Sequence, residues 1–336
     1  MFFLRDQHPG YYVYRQINGN MVYTGIIGCT SIDDYMNGVI KIHEQTLAAR
    51  EEKLKEYLDV CEFNSEPVLF CYPNDEIIDI EISNVVNTQP DYDFVGANYV
   101  KHLLWVIDDE KTVKLIADRF DKMPAIYLAD GHHRSSASTL LGNQRRSEKA
   151  NFTGSEPFNY YMGIFLSENQ LKIFDYNRVV KDLNGLSFDE FIKKLSEKFM
   201  VTEIHADDYK SDKKHTISMY LDEKWFSLQV LEGAFNQNDP VESLDASILT
   251  TLILAPILGI LDLRRDKRIA FVPGIRGAKE LKRQVDAGEA EVAFGLYPVE
   301  MDHLKWVADT GNIMPPKSTW VEPKLCTGLV IFPLDE

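Results

Sequence analysis

Ala125-Ile126-Tyr127-Leu128-Ala129-Asp130-Gly131-His132-His133-Arg134-Ser135-Ser136-Ala137 runs from an apolar, strand-like segment into an Asp-Gly turn followed by two histidines and an arginine. Ser135, Ser136, Ala137 and Leu140 continue as a helix, which puts the backbone N–H groups of Gly131 to Arg134 at its start. A helix start carries unpaired donors and a partial positive charge, a combination that suits an anion. Arg134 adds a planar fork that matches phosphate oxygens. An N-cap at Asp130 would explain the turn by itself, but it gives no reason for His-His-Arg to follow. The stretch reads as a phosphate-binding turn between a strand and a helix.

Around this turn the pattern alternates between strand and helix. Residues 11–16 and 21–32 are rich in β-branched and aromatic side chains, and the Asn-Gly signal within Ile17-Asn18-Gly19-Asn20 makes them a hairpin. Residues 33–60 take on a helical pattern, 67–72 and 99–107 read as strands, 75–85 is ambiguous, and 109–120 reads as a helix leading into Ala125. The polar stretch 143–157 is the expected connector, with a first domain closing near residue 145. Beyond it, 158–166 with 171–174 and 215–220 with 225–230 read as hairpins, and 188–199 as a helix. Residues 239–260 read as a buried helix that Pro256 must kink or end. A strand at 268–272, a helix at 278–287, a strand at 291–297 and a helix at 301–309 complete an α+β (mixed α/β) pattern.

The chain has 336 residues, enough for two cores or for one core with a large insertion. Its 52 acidic against 36 basic residues, a formal charge of −16, oppose generic attraction to nucleic acid or anionic lipid and point to a small-molecule partner. No run approaches eighteen apolar residues, and Met1 to Arg5 lacks the pattern of a signal peptide, so a cytoplasmic location is the expectation. Cys29, Cys61, Cys71 and Cys326 form no Cys-x-x-Cys pair, which argues against a zinc site or a disulfide framework. Cys29 and Cys71, within apolar runs, read as small buried hydrophobes.

Two further clusters carry chemistry. His43-Glu44 reads as a histidine beside a helix-start glutamate able to accept a proton from a hydroxyl. Met314-Pro315-Pro316-Lys317-Ser318-Thr319-Trp320 is a rigid segment presenting one cation and two hydroxyls to a carboxylate or phosphate. Gly274-Ile275-Arg276-Gly277 has neither Walker A nor Gly-x-Gly-x-x-Gly spacing and reads as an ordinary strand-to-helix turn. The remaining histidines are scattered, and adjacent His132 and His133 point in different directions on a helix, so no metal site is assigned.

With these segments in hand, the chain resembles the bacterial family of unknown function numbered 1015, through Asn177-Arg178-Val179-Val180-Lys181-Asp182-Leu183-Asn184-Gly185-Leu186 and Leu254-Ala255-Pro256-Ile257-Leu258-Gly259-Ile260. Members of that family carry residues ahead of the segment equivalent to Tyr11, so the resemblance implies that part of the family's N-terminus is missing here. The order Lys41-Ile42-His43-Glu44-Gln45, Leu128 to Arg134, and Pro316-Lys317-Ser318-Thr319 also resembles the archaeal nucleotide-dependent free-serine kinases of the ParB/sulfiredoxin-like fold group. That resemblance implies a ParB/sulfiredoxin-like phosphate-binding domain over 1–145, an inserted α+β unit over 146–242 and a C-terminal α/β part over 243–336 completing the substrate site. It implies a kinase for free L-serine using ATP or ADP with Mg²⁺. Glu44 is then the base, with Asp130 and His132 beside it in the catalytic group. Gly131, His132, His133 and Arg134 hold nucleotide phosphates, and His43, Lys317, Ser318 and Thr319 contact the substrate. Ser318 stands where the kinase pattern has threonine.

Phosphoserine hydrolysis, or the reverse reaction, on the same site is the enzymatic alternative. A non-catalytic nucleotide- or DNA-binding protein is the alternative of another class, opposed by the acidic charge. A sulfiredoxin-like reductase would need a cysteine where His132 stands. The sequence leaves the oligomeric state open.

Overall fold

Two strands joined by the shortest of turns open the fold: Tyr11–Asn18 and Met21–Ser31 pair antiparallel, closing at Asn18 opposite Met21. The two central residues are therefore Gly19 and Asn20, one position later than an Asn-Gly turn. Only Gly19 has positive φ (57°), as a Gly-first two-residue turn requires. The computed structural model describes residues 4–96, 98–149 and 151–335. Part of the Met1 to Arg5 stretch therefore lies outside the described residues.

The chain divides into two units, Met1–Lys172 with Pro323–Glu336, and Ile173–Glu322. The expected boundaries at 145/146 and 242/243 do not coincide with this division. Tyr160–Ser167, assigned to the insertion, pairs with Met21–Ser31 and Val68–Tyr72 of the first unit. Val292–Gly295, assigned to the C-terminal part, pairs with Lys172–Val180 and Thr216–Leu221. The expected hairpin of 158–166 with 171–174 is also not formed, because its two strands belong to different sheets.

Among the described residues the first unit holds an eight-stranded sheet, in the spatial order Ile40–Lys41, Ile126–Asp130, Val68–Tyr72, Tyr160–Ser167, Met21–Ser31, Tyr11–Asn18, Lys101–Ile107, Tyr92–Val95. Its apolar side chains, among them Val13, Ile26, Phe70, Tyr72, Leu128 and Tyr161, are buried in one cluster. The segment read as one helix over 33–60 is broken into Ile32–Met36, the strand Ile40–Lys41 and Ala48–Cys61. Gly38, at φ 75°, follows the first helix, and parallel pairing with Ile126 and Tyr127 claims Ile40 and Lys41. The ambiguous 75–85 is a helix, Glu76–Val86, whose start is fixed by Asp75 accepting from the N–H groups of Ile77 and Ile78. Asp109 caps Glu110–Phe120 in the same way.

The second unit carries a seven-stranded sheet among the described residues, ordered Phe199–Ile204, Lys224–Val230, Thr216–Leu221, Val292–Gly295, Lys172–Val180, Ile269–Pro273, with Thr319–Glu322 also paired to Lys172–Val180. A complete capping box between Ser187 and Glu190 starts the helix Phe188–Leu195. In the expected buried helix of 239–260, Asp245–Leu249 is α-helical and Thr250–Leu254 widens to a π-turn, Ala255 N–H donating to Thr250 O at 3.0 Å. Pro256 has no N–H and crowds the carbonyl four residues back, which is why the regular helix stops before it. Gly274 opens the turn into the helix Gly277–Asp286, and any Cβ there would lie 2.4 Å from the Asp175 carboxyl. The chain is thus a mixed α+β protein. Cys71 is buried, whereas Cys29 is exposed because the buried run of its strand ends at Ile27. Among the described residues no helix is long and apolar enough to cross a membrane.

Candidate phosphate-binding site

The parallel register of Ile40 with Ile126 and Lys41 with Tyr127 sends both chains out of the sheet in the same direction. Two residues beyond Lys41 lies His43, and beyond Tyr127 the strand ends at Asp130, so the His43-Glu44 segment and the Asp130-Gly131-His132 turn emerge side by side. His43-Glu44 lies in the loop of residues 42–47, not at a helix start as its sequence context suggests; the helix begins at Ala48.

The helix His132–Glu148 takes Gly131 as its N-cap, with no side chain capping it, so the alternative of a cap at Asp130 is not realised. Gly131 sits at φ 104°, in the left-handed region, and a Cβ there would lie 3.1 Å from three atoms of the Arg134 guanidinium. Its carbonyl accepts from the N–H groups of Arg134 and Ser135, at 2.8 and 3.0 Å. The turn thus presents backbone donors and the positive end of a 17-residue helix without a side-chain cap.

His132 and His43 are 3% and 1% exposed, their rings meeting edge to face with centroids 4.6 Å apart. Burial pushes His43 down to about 4, with the Asp130 charge opposing. Burial first, then the charges of His43 and His133, hold His132 well below the ordinary imidazole value. Both rings are therefore neutral at pH 7. His132 Nδ1 lies 3.4 Å from Glu44 Oε2, an ion-pair distance, but with a neutral ring the contact is between a dipole and a carboxylate. Neither His132 nitrogen nor His43 Nδ1 has a hydrogen-bond partner among the described residues, an uncommon state for buried polar atoms.

His133 is half-buried, and its Nε2 accepts the Leu47 N–H at 3.1 Å, which ties the 42–47 loop to the helix. Burial, followed by the Arg50 charge, lowers its pKa, and Glu51 opposes. One turn on, Ser136 donates to Glu51 at 2.5 Å. Arg134 is held through Nη1 by the Pro67 carbonyl and, at 2.9 Å, by Glu66. Asp130 Oδ2 is 3.0 Å from Lys324 Nζ. Lys324, Glu66 and Pro67 were not singled out from sequence: Lys324 lies 194 residues from Asp130, and nothing in its neighbourhood marks it. Among the described residues no group of three or more His, Cys, Asp or Glu side chains is placed to hold a metal ion.

Of the expected site residues, the first unit brings together His43, Glu44, Asp130, Gly131, His132, His133 and Arg134. Lys317, Ser318 and Thr319 belong to the second unit. There Lys317, at φ 60°, occupies a position that favours glycine, with its ammonium 5.3 Å from the centre of the Tyr176 ring. Ser318 is buried and donates to the Pro315 carbonyl at 2.7 Å.

Residues 1–247 match the family described as "Protein of unknown function (DUF1015)". The chain belongs to this family. The match takes in His43, Glu44, the Asp130–Arg134 turn and the Asn177–Leu186 segment, and ends before Lys317 and Lys324. No curated protein matches the DUF1015 chain. Among solved structures it is similar to a variant of free serine kinase in complex with AMP, at 13% identity, TM-score 0.44, covering 88% of this chain and 87% of that one. It is also similar to SbnI with a C-terminal truncation from Staphylococcus aureus, at 12% identity, TM-score 0.48, covering 92% and 87%. A conserved hypothetical protein from Pyrococcus furiosus matches at 14% identity, TM-score 0.43, covering 92% and 95%. Likenesses at this level transfer no residue role.

Proposed function

We propose that this DUF1015 protein is a small-molecule phosphotransferase that moves a phosphoryl group from a nucleotide, ATP or ADP, to the hydroxyl of free L-serine. The observation that carries the reading is the parallel exit of two chains from the first sheet, which sets the Glu44 carboxylate beside a helix start without a side-chain cap. Phosphoryl transfer asks a protein to neutralise phosphate charge and to take the proton of the attacking hydroxyl; the open helix start supports the first role and the carboxylate the second.

In this reading the phosphates rest on the backbone donors of Gly131 to His133, with the Arg134 guanidinium beside the turn. The serine oxygen attacks the terminal phosphorus, the bond from that phosphorus to the bridging oxygen breaks, and the nucleotide leaves with one phosphate fewer. Glu44 accepts the hydroxyl proton. Neutral His132, with Nδ1 3.4 Å from Glu44 and its ring against His43, leaves the carboxylate charged. Asp130 is the one carboxylate of the turn itself. A nucleotide-bound Mg²⁺, which needs few protein oxygens, would take its protein contact there, supplying charge neutralisation on the phosphates.

A panel of ATP, ADP and AMP, each with L-serine, L-threonine or O-phospho-L-serine, tests this by thermal shift followed by product detection. A ligand at a hundredfold its Kd stabilises by about 2.7 kcal/mol. One nucleotide and serine are expected to stabilise jointly and to yield phosphoserine. Release of phosphate from phosphoserine without nucleotide would replace the kinase by a phosphatase.

A further inference from the structure

Lys172–Val180 runs between Val292–Gly295 and Ile269–Pro273, so Arg178 faces Phe294 across one side and Phe271 across the other. A guanidinium in the middle of a sheet, 0% exposed, calls for a counter-charge. It has been given an anchor instead. Nη1 donates to the Tyr176 carbonyl, and the carbon of the guanidinium lies 4.9 Å from the centre of the Phe271 ring. Nε and Nη2, the two donors on one edge of the plane, have no partner among the described residues. That edge is the one that receives both oxygens of a carboxylate.

Two carboxylates of the second unit lie on the strands around Arg178, and neither bonds to this edge: Glu322, buried on the strand paired with Lys172–Val180, accepts from Trp320 Nε1 at 2.8 Å. Asp175, whose charge acts on Arg178, alternates to the other face of the strand and takes Lys210 on one oxygen. On the Arg178 face, Tyr176 meets Phe271 with ring centroids 6.0 Å apart at 90°, Trp320 at 5.7 Å and 74°, and the Lys317 ammonium at 5.3 Å from its ring centre. Lys317 reaches Tyr176 from a left-handed backbone conformation that a lysine adopts only at a cost, the kind of local strain that persists at binding sites. Burial lowers the guanidinium to about 10, against the opposing pull of Tyr176 and Asp175.

We propose that Arg178 is the fork of a carboxylate-binding pocket in the second unit, lined by Tyr176, Phe271 and Trp320 with Lys317 as a second positive charge, and that it takes the carboxylate of a small amino acid. Only the identity of the ligand as an amino acid rests on the proposed kinase function.

Calorimetry on the full chain tests the pocket with L-serine, O-phospho-L-serine, L-serinamide and inorganic phosphate as probes. The protein is expected to bind serine saturably and serinamide, which lacks the carboxylate, at least tenfold more weakly. Arg178→Met replaces an uncompensated buried charge with an apolar chain, so its melting temperature is expected to equal or exceed that of the parent, while serine affinity falls at least tenfold. Arg178→Lys keeps the charge without the fork and is expected to lose most of that affinity as well. The proposal is overturned if the parent protein binds no serine, binds serinamide as well as serine, or binds only phosphate. It is equally overturned if Arg178→Met or Arg178→Lys retains parental affinity. Serine binding through Arg178 without phosphoserine formation in the presence of nucleotide would keep the pocket and remove the kinase reading.

Discussion

Acid should loosen this protein through His43 before it touches most carboxylates. In the unfolded chain an imidazole titrates near 6.5, whereas in the fold burial pushes His43 down to about 4. Above pH 6.5 the ring is neutral in both states and adds no pH dependence. Between 6.5 and 4 the unfolded chain binds a proton that the folded chain refuses, so stability falls as pH falls, by about 1.4 kcal/mol per pH unit. Across the window from 6.5 to about 4 this amounts to roughly 3 kcal/mol, a large share of the total for an ordinary domain. His132, packed edge to face on His43, shifts in the same direction. Urea unfolding followed by tryptophan fluorescence at pH 7 and pH 4.5, on the parent and on His43→Phe, measures the effect. The parent is expected to lose about 2 to 3 kcal/mol more than the variant between the two pH values. Equal losses would refute the placement of a neutral, desolvated His43 at the turn.

Gly131→Ala combines a left-handed backbone with a clash against the Arg134 guanidinium, and is expected to cost about 1 to 3 kcal/mol in thermal or urea unfolding. It is also expected to weaken nucleotide stabilisation, because the helix-start donors shift. Lys324→Met removes a half-exposed pair with Asp130, so unfolding stability is expected to change by less than about 1 kcal/mol. Nucleotide binding, read by thermal shift, is expected to fall severalfold as Asp130 loses its cation beside the phosphates.

Much of this was legible because the motif that decides the site is local. The apolar run ending in Asp130-Gly131 reads directly as strand, turn and helix, and Asp109 and Ser187 announce helices through their own side chains, whereas the helix after Asp75 stayed ambiguous. What escaped the sequence depends on pairing across long separations. Ile40–Lys41 is a strand only because Ile126–Tyr127 lies beside it, so the 33–60 segment looked like one helix and Glu44 like a first-turn residue. Tyr160–Ser167 and Lys172–Val180 have the spacing of a hairpin, and only their partners show that they belong to different sheets. The Asp130 contact with Lys324 and the empty edge of Arg178 likewise come from tertiary placement, which a single sequence does not reveal.

The central claim, that Glu44 takes the hydroxyl proton while the Asp130–Arg134 turn holds the phosphates, is tested most directly by one paired measurement on Glu44→Gln: phosphoserine formation and nucleotide binding in the same preparation. The account expects phosphoserine formation to disappear while nucleotide affinity stays within severalfold of the parent. A Glu44→Gln protein that still forms phosphoserine at the parental rate would contradict it.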